Sequence, residues 1–194
     1  MTRRPRAARA GYPARVVCLT EETVETLYAI GAGSLVVGVS AYARRPAAIK
    51  HLPRVCAFIE AKLDRIDQLE PDLVLAFCDL QADIVRDLIR RGHTVHTSNM
   101  RSIEDIYDNI RQVGALVGYA SEAETYARKL KAGVEAIRRK TSRIRHKPKV
   151  YFEEWDDPMI TGIAWVGELI DIAGGRDIFP ELRGGVTAHS HKVD

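Results

Sequence analysis

Cysteine is scarce in this chain. Cys18, Cys56 and Cys78 are odd in number and far apart, which argues against a disulfide framework or a zinc knuckle and fits small buried hydrophobes. Long apolar runs are missing too, and none approaches the roughly 20 residues that a spanning helix needs, so no membrane insertion is expected. The basic first residues are not followed by the apolar stretch of a secretory signal. There is no P-loop, no G-x-S-x-G and no H-E-x-x-H. IGAGSLVVG is rich in glycine, but its glycines follow a helical pattern and precede a strand pattern, the reverse of the dinucleotide-binding order. No cysteine has a histidine or other base near it in sequence, which gives nucleophilic catalysis no support.

What is present reads as an ordinary globular chain, 46% hydrophobic and 28% charged, with a net charge of +3. The charge is uneven. Residues 1–15 hold five arginines and no acid, so the rest of the chain has fewer basic than acidic residues. Residues 1–14 are expected to be a disordered basic tail. So short a patch, with no partner stripe, predicts no nucleic-acid partner.

Short apolar runs at 15–19, 35–40 and 72–77 have the look of buried strands, TVHTS at 94–98 reads as a fourth strand, and helical spacing lies between them. Strands alternating with helices predict an α/β fold with parallel pairing. Ligands in such sheets bind beyond the carboxyl ends of the strands, here Thr20–Glu22, Ser40–Arg45 and Phe77–Asp79. Ser102 is positioned to cap the next helix. Ser121 and Glu124 have capping-box spacing at the start of a long amphipathic helix through about residue 145. Its basic carboxyl end suits the helix dipole. The expected organisation is a first α/β lobe at 15–118, a linking helix at 119–147 and a partial second lobe at 148–194.

The stretch YFEEWDDPMITG sets Glu153, Glu154, Asp156 and Asp157 around Trp155. Three readings stay open: a solvated loop, the lining of a ligand cleft with Trp155 as a stacking surface, or an acid–base or metal site. Glu153 and Glu154 follow a strand and face opposite sides, and Asp156-Asp157-Pro158 is turn chemistry. His93 and His96 fall on opposite faces of a strand. His189 and His191 would share a face in an extended tail, but two ligands do not make a metal site.

RVVCLTEETVETLYAIGAGSLVVGVSAYARRP, LDRIDQLEPDLVLAF and WVGELIDIAGGRDIF together resemble the helix-backboned substrate-binding proteins of ABC importers, which take up cobalamin, haem and ferric siderophores. The resemblance runs from about Arg15 to Phe179 and is greatest to the cobalamin-binding branch. It implies two Rossmann-like lobes with parallel sheets, joined by one long helix, with ligand in the cleft between them. On that reading Thr20, Glu21, Tyr42, Phe58, Phe77 and Asp79 line the ligand from the first lobe, and Trp155 and Trp165 from the second. Asp64 and Asp171 (with Glu168 as the alternative to Asp171) would face arginines of a membrane permease that works with its ATPase. Cobalamin is the expected ligand, with no resident cofactor, no protein-bound metal and no enzyme activity. The family resemblance implies a periplasmic location, while the missing signal would leave the chain cytoplasmic. The second lobe is short for this family and looks truncated after Phe179, which predicts apolar surface left bare at Val150, Phe152, Val166, Leu169, Ile170 and Ile172. The competing expectation is a cytoplasmic metal-dependent hydrolase or tetrapyrrole-handling enzyme using Glu153, Glu154, Asp156 and Asp157.

Overall fold

A computed structural model describes residues 8–185 and 187–193. They form two compact units: residues up to 99 with 109–126, and residues 100–108 with 127 onward.

In the first unit β1 (Val16–Cys18), β2 (Val36–Ser40), β3 (Arg54–Ala57), β4 (Glu60–Ala61), β5 (Leu73–Phe77) and β6 (Val95–Ser98) make one sheet in the order β4-β3-β2-β1-β5-β6. Every pairing is parallel except β3 with β4. The apolar runs read from the sequence became strands because both faces of a parallel sheet are covered, so every position tolerates an apolar side chain. Val16, Val17, Cys18 and Leu19 are fully buried. Helices α1 (Glu21–Ala29), α2 (Leu63–Gln68) and α3 (Ala82–Arg90) lie between the strands in the chain. Ile66, Ile84 and Leu88 from α2 and α3 join Val17, Leu19, Val55, Val74 and Ala76 in one apolar core.

The Leu-Glu-Pro-Asp segment after α2 is pinned to the start of β1. The Asp72 carboxylate accepts from the Ala14 and Arg15 backbone N–H groups at 2.6 and 3.0 Å. The Arg15 guanidinium in return donates to the Leu69 carbonyl at 2.7 and 2.9 Å. These exchanges fix the edge from which β1 and β5 begin.

Helices α4 (Ile103–Leu116) and α5 (Ala120–Thr141) each contribute residues to both units. Ser102 caps α4 as expected: its hydroxyl accepts from the Asp105 N–H at 3.1 Å, and the Asp105 carboxylate accepts from the Ser102 N–H at 2.8 Å. The matching expectation for α5 fails, because the helix starts at Ala120. Glu124 pairs instead with Arg111 at 2.7 Å, and the Ser121 carbonyl accepts from the Thr125 hydroxyl. Part of the expected basic tail lies within the described residues. Arg9 pairs with Glu122 and lies 4.1 Å over the Tyr119 ring. Residues 1–7 lie outside the described residues.

The second unit adds β7 (Lys149–Val150), β8 (Glu153–Asp156), β9 (Met159–Thr161), α6 (Ala164–Ile172) and β10 (Arg176–Asp177). β7 pairs with β10 in parallel, and β8 with β9 in antiparallel register. The acidic stretch is therefore a hairpin and not a loop, turning at Asp157-Pro158. Val166 and Ile172 are buried, whereas Phe152 and Leu169 are exposed, so the expectation of bare apolar surface holds for only part of the list. His191 is fully buried, with Nδ1 2.9 Å from the Leu182 carbonyl oxygen, in a 3-10 turn and not an extended tail. Among the described residues no helix is long and apolar enough to cross a membrane.

Candidate functional site: the strand ends of the first unit

The chain runs outward from β1 to β2 and β3, then returns to place β5 on the other side of β1. Strand order therefore reverses between β1 and β5, and in open α/β sheets the crevice beyond such a reversal receives ligands. Six of the sequence-predicted residues belong to this end of the sheet. Thr20 and Glu21 follow β1, Tyr42 follows β2, Phe58 follows β3, Phe77 ends β5 and Asp79 comes two residues later.

Their settings differ. Tyr42 and Asp79 are exposed, Phe58 and Phe77 half-buried, and Thr20 buried. The Thr20 hydroxyl donates to Glu22 at 2.5 Å. Burial pushes the Glu22 carboxyl above its ordinary pKa, a shift that this hydrogen bond partly offsets. One carboxylate oxygen of Glu21, Oε1, is buried with no hydrogen-bond partner. A buried acceptor of this kind is costly unless something donates to it. The neighbouring thiols offer no reactivity, since burial pushes Cys18 up to about 12 and Cys56 up to about 11 and keeps both neutral.

Two residues that sequence reasoning missed hold these loops. Arg54 donates through Nη1 to the Ser40 carbonyl at 3.1 Å and the Ala43 carbonyl at 3.0 Å, which pins the turn that carries Tyr42. Gln81 is fully buried. Its Nε2 donates to the Phe58 carbonyl at 2.8 Å and the Leu19 carbonyl at 3.4 Å, while its Oε1 accepts from the Phe77 N–H at 3.0 Å. No periodicity marks either residue. Only the polar type of Gln81, at the start of an amphipathic helix, could have drawn notice.

In the second unit Trp155 sits on β8 opposite Ile160, 59% exposed, with its indole N–H donating to the Asp157 carbonyl at 3.0 Å. Trp165 is half-buried in the first turn of α6. The four hairpin carboxylates are exposed, and Glu153 accepts from the Tyr151 hydroxyl at 2.7 Å. Among the described residues no group of three or more His, Cys, Asp or Glu side chains is arranged to hold a metal ion. His93 lies 2.6 Å from Asp67 and shares no ligand with His96, whose Nε2 is buried without a partner.

Each of the two acids expected to face a permease is paired with an arginine of its own unit. Asp64, on α2 and 88% exposed, lies 2.7 Å from Arg91, which also holds Asp67 at 2.5 Å. Asp171, on α6, lies 2.6 Å from Arg183, which also holds the buried Asp177 at 2.8 Å. Glu168 is committed elsewhere, accepting from the Ile103 backbone N–H at 2.8 Å.

The sheet is open and mostly parallel, with its strand order reversing beside β1, and comparison with known proteins gives the family. Residues 16–194 match the family model described as periplasmic binding protein, and the chain belongs to that family. It is 30% identical over 168 residues to a vitamin B12-binding protein of Vibrio vulnificus, covering 85% of this chain and 61% of that one. It is 27% identical over 183 residues to an ABC transporter substrate-binding lipoprotein of Bacillus subtilis, covering 90% of this chain and 58% of the relative. The chain thus spans about three fifths of the length of these curated relatives. Among solved structures, the periplasmic haem-binding protein of Roseiflexus superposes with a TM-score of 0.77 at 25% identity, covering 89% of this chain and 68% of that one. The periplasmic vitamin B12-binding protein of Vibrio cholerae gives 0.73 at 24%, covering 86% and 66%, which speaks to fold alone.

Proposed function

We propose that this chain is the ligand-binding component of an ABC importer, that it works in the periplasm, and that its ligand is cobalamin or a related corrinoid. The reading assigns it no catalytic step and no resident cofactor. The observation that carries it is the strand-order reversal between β1 and β5, with Tyr42, Phe58 and Phe77 standing at or just after strand ends. A corrin ring presents a broad, largely apolar face with amide side chains at its rim. Aromatic rings suit the face. The 30% identity to a protein named for vitamin B12 supports the same choice. Trp155 and Trp165 are proposed as further ligand contacts, and Asp64 and Asp171 as the acids that meet the permease, which its ATPase would drive.

Titration of the purified chain with cobalamin, haem and a ferric siderophore, followed by tryptophan fluorescence and calorimetry, tests the assignment. Saturable one-to-one binding of cobalamin, tighter than of the other two, is the expected result. Preference for haem or the siderophore would overturn the corrinoid choice, and no binding of any of the three would overturn the importer reading for this chain.

A further inference from the structure

We propose that Gln81 is the positioning residue of the ligand crevice, the one side chain whose amide sets the mutual placement of the loops after β1, β3 and β5. The inference rests on the ligand-binding reading above and goes beyond it by assigning a role to a residue that does not itself reach the ligand.

Gln81 is fully buried, and all its hydrogen bonds run to backbone groups of three different strand ends. Each of those groups adjoins a proposed ligand contact. The Leu19 carbonyl precedes Thr20 and Glu21, the Phe58 carbonyl and Phe77 N–H belong to contacts themselves, and Asp79 lies two residues beyond Phe77. The loops also need holding, because Phe58 and Cys78 have φ of 53° and 52°, in a region that non-glycine residues seldom adopt. Such backbone persists only where the surroundings over-determine it. Gln81 supplies that for Phe58 through the 2.8 Å bond to its carbonyl, and the Cys78 N–H is tied to the Ser98 carbonyl at 2.7 Å.

An amide is needed here for the backbone groups it satisfies, not for the packing of the core. The neighbouring core of Val17, Leu19, Val55, Val74 and Ala76 is apolar, and methionine would fill a similar volume without burying a polar group. What methionine cannot do is donate to two carbonyls and accept from an N–H at once. Among uncharged side chains of this length only glutamine does so, and a protonated glutamate does so in part, with one O–H donor and one acceptor oxygen.

That difference gives the test. Gln81→Met and Gln81→Glu are made in the full chain, and cobalamin affinity is measured against wild type from about pH 8 to about pH 5, the span over which a buried carboxyl with a raised pKa takes up its proton. Glu21, Glu22 and Asp79, together with the Cys18 and Cys56 thiols, are common to all three chains, so each variant is compared with wild type at the same pH. Gln81→Met is expected to bind about tenfold or more weakly at every pH, with a melting temperature lowered by the backbone groups it leaves without a partner. Gln81→Glu should be as weak at the alkaline end and recover most of the loss as the pH falls. Hydrogen exchange at the Phe77 amide, read without ligand and relative to the intrinsic rate at each pH, should lose protection in Gln81→Met and keep it in Gln81→Glu, whose carboxyl oxygen can still accept. Wild-type affinity in both variants, or a loss in Gln81→Glu that tracks melting temperature and never recovers, overturns the positioning role. If wild type itself binds no cobalamin, the ligand assignment fails separately, and the exchange measurement still decides whether Gln81 holds the loops.

Discussion

Trp155 and Glu22 show how one side chain's setting determines what it can do. Trp155 keeps 59% of its surface exposed, although its hairpin could have carried a smaller residue. An indole left in water forgoes burial unless something covers it. If that cover is a corrin face, stacking of the kind worth roughly 1–3 kcal/mol for nucleobases is at stake. Trp155→Ala should then weaken cobalamin binding by about one to two orders of magnitude and leave the melting temperature near wild type; unchanged affinity removes Trp155 from the site. Glu22 is in the opposite situation. Burial raises its pKa in the folded chain, so the folded state holds this proton more tightly than the unfolded state does. Its contribution is therefore fully present in acid and is lost as pH rises from about 4.3, the ordinary glutamate value, through the raised folded value. Glu22→Gln removes that dependence. Urea unfolding at several pH values should show wild type losing ground against the variant as pH rises, and parallel pH profiles would contradict this.

Among the elements, the turn between α4 and α5 shows how closely two helices can be drawn together. A Cβ placed on Gly114 would run into the Ala123 Cβ and lie 3.0 Å from the Tyr119 carbonyl oxygen. Gly118, at φ 82°, makes the turn, and the Tyr119 N–H reaches back to the Gly114 carbonyl at 2.6 Å. Backbone cannot move aside as a flexible side chain can. Gly114→Ala is therefore expected to cost about 1–3 kcal/mol, as overpacking does. Gly133, in the middle of α5, has nothing within 4 Å of the position that an added methyl group would take. Gly133→Ala should gain up to about 1 kcal/mol from helix propensity alone. Equal effects at the two positions in thermal or urea unfolding would show that α4 and α5 are not packed as closely as the turn requires.

For the whole molecule, the two proposed docking acids share a design, although they lie in different units. Asp64 and Asp171 each share an arginine with a second carboxylate, Asp67 in one case and Asp177 in the other. Exposed pairs of this kind add little stability, which leaves the acids open to exchange partners with an incoming cation. Charges at such a rim act mainly on encounter and register. The double substitution Asp64→Lys and Asp171→Lys should abolish coupling to a reconstituted importer and leave cobalamin affinity within about twofold of wild type, the largest loss of association appearing at low salt. Loss of ligand binding in that variant would place the two acids in the crevice or the fold instead.

The strand β6 at the sheet edge is VHTS and was read from its place in the alternation. The strands β1, β2 and β5 were legible in the sequence because a strand covered on both faces is apolar nearly throughout, and that leaves a local mark. The cap of α4 was legible for the same reason, since Ser102 and Asp105 are three residues apart and bond to each other. The acidic stretch was not read as a hairpin, because Glu153 to Asp156 are exposed on a two-stranded sheet and no core imposes an alternating pattern on them. The strand-end residues Thr20, Glu21, Tyr42, Phe58, Phe77 and Asp79 could be nominated from strand ends and family likeness. Their support by Arg54 and Gln81 could not, because those side chains bond to carbonyls 11 to 62 residues away in the chain. The sequence by itself determined the alternation of elements, which depends on each segment's own pattern of apolar and polar residues. Only the tertiary structure decided where the strand order reverses and which buried amide ties the loops there, since a hydrogen bond between distant backbone groups exists only once the sheet has brought them together.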